Sequence, residues 1–131
     1  IRPVLTIEET RQIFEEQLLQ YEREPQLGRY MIIEKTTDTF VGIFMLRKPS
    51  GLNGIEIGYS FRKKDWGRGY ATEIVKKGIE FIFDFTTFNT VYAFTDLRNM
   101  NSKKVLTKCG FIYQRDFSED GKKSNLFSLI K

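Results

Sequence analysis

Residues 61–72 read FRKKDWGRGYAT, and this stretch decides how the rest of the chain is interpreted. A β-type run, Ile55–Phe61, precedes it, and apolar residues at helical spacing follow from Ala71 to Ile82. The pattern therefore predicts a strand, a basic turn with two glycines, and a helix. Glycine tolerates positive φ and lets the backbone approach a ligand closely. Because the first turn of a helix has unpaired N–H groups and partial positive charge, we expect a cradle for phosphate or diphosphate.

Two familiar phosphate-binding motifs do not fit this turn. A dinucleotide-binding fingerprint requires a third glycine, where this chain has Thr72. A P-loop requires Gly-Lys-Ser/Thr after a longer loop, which is absent here. Spacing alone leaves two interpretations open, a phosphate-binding loop and a glycine-containing turn with a solvated basic rim.

Composition favours one folded domain over residues 1–131. The 131 residues are 40% hydrophobic and 15% aromatic, which is enough to form a core. No apolar run approaches the length of a membrane span, and no secretory leader is recognisable, so we expect a cytoplasmic protein with no membrane partner. The net charge of +4 suits any polyanionic ligand.

The residue types that are absent exclude several kinds of site. The chain has no histidine, which excludes Ser-His-Asp triads, Cys-His nucleophiles and histidine-based zinc sites. Cys109 is the single cysteine, so the chain has no internal disulfide and no cysteine metal cluster. Proton transfer must therefore use carboxylates, Tyr, Lys, Ser or water.

The remaining pattern predicts the order α-β-β-β-α-β-α-β-β, an α+β fold. A capping box at Thr6 and Glu9 opens a helix that ends before Pro25. Periodicity and turn residues then predict strands at 30–35, 40–47, 55–61, 91–95, 111–115 and 126–130, with helices beginning near residue 71 and over residues 101–109.

Two separated segments resemble the GNAT acetyltransferase superfamily, and its ribosomal-protein N-acetyltransferase-like branch in particular. The first is EIGYSF at residues 56–61 with WGRGYATE at 66–73, and the second is NMNS at 99–102 with KCGF at 108–111. The match is ordered and extends from about residue 30 to the C-terminus. The resemblance implies a GNAT-like mixed, mostly antiparallel sheet flanked by helices. At the cradle the family pattern is Gln/Arg-x-x-Gly-x-Gly/Ala, and this chain has Trp66 in place of the Gln or Arg.

The resemblance also implies acetyl-CoA as co-substrate, without a metal, and it assigns roles by position. The backbone N–H of Phe61 would polarise the thioester carbonyl. Glu56 is the candidate base for the amine, although a strand Glu paired with a Lys would look the same. Ser102 would donate to the leaving thiolate, or is an ordinary helix-entry serine; Asn99 would contact the pantetheine, or caps a helix. The candidate CoA-binding residues are Phe61, Arg62, Trp66, Gly67, Arg68, Gly69, Tyr70, Ala71 and Asn99.

The implied function is an N-acetyltransferase that moves an acetyl group from acetyl-CoA to a primary amine by direct attack on the thioester. The acceptor would be a protein N-terminus or a small molecule. The alternative is a non-catalytic acyl-CoA-binding sensor. A nucleic-acid-binding domain is disfavoured, because the CoA phosphates already account for the one dense basic cluster. Family members begin with a further strand and helix that the sequence pattern does not show here. We therefore expect an incomplete acceptor pocket, and either a truncated chain or a sheet edge that a homodimer would cover.

Overall fold

Six strands and two helices follow one another in the computed structural model, which describes residues 8, 11, 12 and 27–131. The elements are β1 (Gly28–Glu34), β2 (Thr39–Arg47), β3 (Ile55–Phe61), α1 (Tyr70–Phe85), β4 (Thr90–Asp96), α2 (Met100–Lys108), β5 (Ile112–Glu119) and β6 (Lys122–Ile130). A short 3₁₀ turn, Lys63–Asp65, links β3 to α1.

From β1 onwards, the observed elements follow the predicted order, with differences at their ends. β3 has the predicted bounds, whereas β5 and β6 extend to a tight turn at Asp120 and Gly121. Their extensions were missed because the added residues are mostly polar and exposed, so they show no apolar alternation. The 3₁₀ turn was also missed. The capping box at Thr6 and Glu9 lies outside the described residues.

The strands form one mixed sheet in the order β1-β2-β3-β4-β6-β5. Every neighbouring pair is antiparallel except β3 and β4, which are parallel and joined through α1. The predicted α+β class, with a mostly antiparallel sheet, is therefore confirmed.

Both helices pack on the same face of this sheet. Alternate residues of β3, Ile55 and Ile57, are buried in one cluster with Val75 of α1 and Leu106 of α2. Side chains of a strand alternate between the two faces, so Glu56 lies on the face opposite the helices. We call these the helix face and the outer face.

The parallel pair is unusually short and positions the site. β3 and β4 pair only at Ile55 with Val91 and at Glu56 with Tyr92. Beyond this point, among the described residues, β3 runs on to Phe61 and β4 to Asp96 without further pairing to each other. The two strands therefore separate, and a gap opens through the sheet with Glu56 and Tyr92 at its closed end.

None of the helices in the described ranges is long and apolar enough to cross a membrane. The longer one, α1, has 16 residues and buries only one stripe, formed by Val75, Gly78 and Ile82. Such one-sided burial is typical of a helix that packs on a sheet.

The close approach of α1 to β2 at Gly78 gives a stability prediction. A Cβ at this position would lie 2.5 Å from Cζ of Phe44, so Gly78→Ala must displace a buried ring. We expect the free energy of unfolding to fall by about 1–2 kcal/mol, although alanine is the better helix former. Chemical denaturation measures this change. Phe44→Leu makes room for the methyl group, so the double variant should lose less stability than the two single changes added together; simple additivity would contradict the packing account.

Candidate active site

Two glycines in the left-handed backbone conformation shape the turn that leads from β3 into α1. Gly67 has φ of 80° and Gly69 has φ of 79°, a region that side chains with a Cβ rarely adopt. A Cβ built at either position meets nothing within 4 Å, so the space in front of both residues is open. The glycines are required by backbone conformation, and they leave a concave surface that a ligand can enter.

The amides of this turn are free to bind an anion. Among the described residues, no hydrogen bond uses the N–H of residues 67–72, and the first helical bond runs from Glu73 N–H to the Gly69 carbonyl. The N–H of Trp66, in contrast, donates to the carbonyl of Lys63 and is not available. The free amides, which we call the nest, thus begin at Gly67, and Trp66, a candidate CoA-binding residue by sequence, has no free backbone N–H. Six consecutive N–H groups at a helix N-terminus favour a phosphate or diphosphate.

A buried carboxylate holds two arginines beside the nest. Asp65 is 4% exposed, and its Oδ2 accepts a hydrogen bond from Arg62 Nε at 2.7 Å. Its Oδ1 lies 3.8 Å from Nη1 of Arg68, whose side chain is 60% exposed. Asp65 therefore fixes the 3₁₀ turn and keeps both guanidinium groups at the mouth of the cradle. No sequence pattern distinguishes Asp65 from the other acidic residues, because only its burial does so.

Aromatic rings join the cradle to β3. The rings of Phe61 and Tyr70 stack with centroids 5.9 Å apart, and the ring of Tyr59 lies 6.2 Å from that of Phe61. The indole Nε1 of Trp66 donates to the carbonyl of Phe61 at 3.0 Å, while its side chain is largely exposed. Trp66 thus closes the turn through its side chain. These contacts fix where α1 begins relative to the end of β3.

The direction of the strand amides distinguishes Phe61 from its neighbour. The N–H of Arg62 donates to the carbonyl of Val41 on β2, so it points away from the gap. Amides alternate in direction along a strand, and the N–H of Phe61 therefore points to the side on which β3 and β4 separate. Of the two residues, Phe61 has the amide that can reach a group in the gap.

Glu56 lies at the closed end of the gap, on the outer face. It is 5% exposed, and its Oε1 accepts a hydrogen bond from Arg47 Nε at 2.7 Å. Within the described part of the chain, its Oε2 has no hydrogen-bond partner. Burial raises the pKa of Glu56, which outweighs the opposing effects of the Arg47 hydrogen bond and charge; the like charge of Glu119 raises it further. A pKa above the ordinary range suits a group that must take a proton.

Ser102 and Asn99 lie together where α2 begins, on the helix face. The Asn99 Oδ1 accepts a hydrogen bond from the backbone N–H of Ser102 at 3.0 Å, so Asn99 is the N-cap of α2. The Ser102 hydroxyl lies 2.9 Å from the hydroxyl of Tyr59. This contact joins α2 to β3 across the helix side of the gap.

Cys109 has no features of a nucleophile. Its Sγ is 3.9 Å from the carbonyl of Thr72, and burial raises the pKa of its thiol. The described residues contain no group of three or more His, Cys, Asp or Glu side chains that could hold a metal ion. Cys109 is thus a partly buried residue that packs against the hydrophobic core.

The structure groups the predicted residues around one feature, the gap, but does not place all of them in contact. Phe61, the cradle and Ser102 are on or near the helix face, while Glu56 lies on the outer face.

Thr95 and Asn125 are two further residues near the gap that the sequence does not predict. They are buried cross-strand partners on β4 and β6, and Thr95 Oγ1 and Asn125 Oδ1 lack hydrogen-bond partners among the described residues. Continuing the parallel register puts Thr95 across the gap from Tyr59. Only the fold could have revealed this position.

Residues 1–112 match the sequence profile of the acetyltransferase (GNAT) domain. The chain belongs to this family, whose members are acyltransferases that use acetyl-CoA. It is also 35% identical over 89 residues to the uncharacterized N-acetyltransferase p20 of Bacillus licheniformis. That alignment covers 67% of this chain and 50% of the relative, so the chain spans half the length of that protein.

Solved structures show the same fold at low sequence identity. The ribosomal-protein-S5-alanine acetyltransferase of Vibrio fischeri superposes with a TM-score of 0.76 at 18% identity, over 98% of this chain and 77% of that one. A point variant of the spermidine N-acetyltransferase of Vibrio cholerae gives 0.74 at 12% identity, over 98% and 78%.

The role of Asp65 gives a prediction for the cradle. Asp65→Asn removes the charge that holds Arg62 and Arg68, and we expect the free energy of unfolding to fall by about 1 kcal/mol, a modest value because both arginines are partly solvated. The loss should shrink in high salt, which screens the wild-type ion pair. Urea denaturation at two salt concentrations measures both effects, with Asp84→Asn on the exposed side of α1 as control. Equal stability of the two variants would contradict the role given to Asp65.

Proposed function

We propose that this chain transfers an acetyl group from acetyl-CoA to a primary amine by direct attack on the thioester. One observation carries the proposal: a nest of free amides lies at the end of a strand that separates from its parallel neighbour. The nest can bind the diphosphate of CoA. The gap, where the facing edges of β3 and β4 are unpaired, can hold the extended pantetheine arm. Family membership supports the same conclusion.

The residues present fit acetyl-CoA as substrate. The free amides of residues 67–72 face open space, and Arg62, Lys63, Lys64 and Arg68 surround them with positive charge. In this proposal the diphosphate binds the amides of Gly67, Arg68, Gly69, Tyr70 and Ala71. Trp66 acts by closing the turn, and Asn99 by fixing the start of α2 beside the arm.

In the proposed reaction, the amine attacks inside the gap and the base lies on the outer face of the sheet. The amine nitrogen attacks the thioester carbonyl carbon inside the gap, forming the C–N bond. The N–H of Phe61 donates to the carbonyl oxygen as negative charge develops on it. Glu56, on the outer face, takes the proton that the nitrogen loses, either directly or through water. No acyl-enzyme is needed, in keeping with the raised pKa of the Cys109 thiol.

The thiolate leaves on the helix face of the sheet, where Ser102 lies. The C–S bond breaks and the electron pair stays on sulfur, to which the Ser102 hydroxyl donates a hydrogen bond. Ser102 stays protonated and stabilises the leaving sulfur by this hydrogen bond, and solvent protonates the released thiolate when the pH requires it. In this arrangement, the base and the hydrogen-bond donor to the leaving sulfur act from opposite sides of the sheet.

The acceptor class is proposed from structural neighbours alone. By their names, one neighbour acts on the alanine of a ribosomal protein and another on spermidine. Both acceptors present a primary amine, so we propose a protein N-terminus or a small polyamine. Residues 1–131 are proposed to form one domain, and the exposed apolar side chains of β1, such as Met31, fit a homodimer.

Binding at the nest is tested by Gly69→Glu. The new carboxylate would lie in the anion site, so we expect acetyl-CoA to raise the Tm of the wild type and to leave that of the variant unchanged. Gly121→Glu is the matched control, since Gly121 has φ of 76° and equally open surroundings in the β5–β6 turn. Both variants carry the same backbone strain, but only the control should keep the shift. A shift that survives in Gly69→Glu would contradict the binding site.

Catalysis is tested in the same preparations by following free thiol with a panel of amines. Release of CoA that depends on the amine supports the transferase. A Tm shift without thiol release from any amine would instead favour the acyl-CoA sensor.

The role of Glu56 is tested by the pH dependence of kcat/KM. The carboxylate is the active form, so the rate should rise with pH through the Glu56 pKa, which burial holds above the ordinary value of a glutamate. Glu56→Gln should remove this rise at acidic pH and lower kcat/KM at neutral pH about 100-fold. The kcat/KM of the variant should recover as the pH approaches the pKa of the amine. Glu119→Gln, which removes a like charge, should move the rise to lower pH without lowering its plateau. An unchanged profile in Glu56→Gln would exclude Glu56 as the base.

A further inference from the structure

The hydroxyl of Ser102 is held by Tyr59, a residue to which the proposed mechanism gives no role. Tyr59 Oη lies 2.9 Å from Ser102 Oγ, although the two residues are 43 positions apart in the chain. Tyr59 is on β3, three residues beyond Glu56, where β3 has already separated from β4. Ser102 is in the first turn of α2. The contact therefore lies at the edge of the gap.

We propose that Tyr59 is a positioning residue, which orients the Ser102 hydroxyl so that its hydrogen points into the gap. The inference rests on the proposed function, since that hydrogen is the one donated to the leaving sulfur. It concerns a residue that touches neither the acetyl group nor the amine.

The chemistry of the two hydroxyls determines which one donates. A phenol has a pKa near 10, whereas an aliphatic hydroxyl does not ionise in the accessible pH range, so the phenol is the stronger hydrogen-bond donor. Tyr59 therefore donates to Ser102 Oγ. Ser102 has only one hydrogen, and this hydrogen remains for a different acceptor.

The surroundings of Ser102 leave few other directions for its hydrogen. A serine in a helix commonly donates back to a carbonyl of the preceding turn. Within the described residues, the Ser102 hydroxyl makes no such bond, and Tyr59 is its hydrogen-bond partner. Because the Asn99 cap fixes the backbone of Ser102 as well, both ends of this side chain are held.

The state of Tyr59 agrees with a permanent donor. Burial raises the pKa of the Tyr59 phenol, an effect larger than the opposing one of the Ser102 hydrogen bond. The phenol thus stays protonated throughout the neutral range. Its ring also packs against the ring of Phe61, so a phenylalanine at position 59 should keep the ring in place and lose only the hydroxyl.

The test is a double-mutant cycle of Tyr59→Phe and Ser102→Ala. We expect Tyr59→Phe to lower kcat about 10-fold, the value of one hydrogen bond, with the KM for acetyl-CoA and the Tm shift by acetyl-CoA unchanged. In the Ser102→Ala background, the same change should cost nothing more, because Tyr59 acts through Ser102. Tyr113→Phe is the matched control: its hydroxyl donates to Asp116 Oδ1 at 2.8 Å on β5, and its loss should leave kcat unchanged.

The outcomes separate this inference from the function on which it rests. A wild type that binds acetyl-CoA but acetylates no amine overturns the proposed function, and the inference with it. With an active wild type, a loss from Tyr59→Phe that is equally large in the Ser102→Ala background overturns the inference alone, because Tyr59 then acts independently of Ser102. A loss that appears in KM and not in kcat would overturn it too.

Discussion

The separation of β3 from β4 is the feature on which the rest of the site depends. Two bridges, Ile55 to Val91 and Glu56 to Tyr92, hold the parallel pair together before the strands diverge. A fully paired sheet would occupy the edge of β3 with hydrogen bonds to β4, and it would put a continuous barrier between Glu56 and Ser102. Since the strands diverge, the N–H of Phe61 faces the gap and both faces of the sheet have access to it. The cradle follows the end of β3, where β3 and β4 are furthest along their separation, so a pantetheine arm lying in the gap would lead to it.

Local contacts maintain this arrangement at both ends of the cradle. Asp65 is buried within the 3₁₀ turn, binds Arg62 and lies near Arg68. The stack of Phe61 on Tyr70 ties the end of β3 to the start of α1. These contacts leave the amides of residues 67–72 unused, which is costly unless water or an anion satisfies them. The site is thus prepared for a negative ligand before one arrives.

The sequence allowed the fold class and the strand–turn–helix geometry of the cradle to be predicted, because both depend on local patterns. Apolar periodicity around the two glycines predicts β3, the turn and α1, and Ile55–Phe61 has the bounds that were expected. The contribution of Asp65, the pairing of Tyr59 with Ser102, and the position of Thr95 across the gap depend on tertiary neighbours. No spacing rule places residues that are 43 positions apart within 2.9 Å of one another. Likewise, the sequence leaves the partner of Glu56 open, with a lysine as one alternative to the base role, and only the register of β2 on β3 identifies the partner as Arg47.

Hydrogen exchange of the backbone amides tests the central claim most directly. In the free protein, the N–H of Trp66 should be protected by its bond to Lys63, while those of residues 67–71 should exchange rapidly. Addition of CoA should slow exchange at residues 67–71 and leave the amides of the β5–β6 turn unchanged. If the amides of residues 67–71 are already protected without CoA, or are unaffected by it, the turn is not an anion-binding nest and the account of this site is wrong.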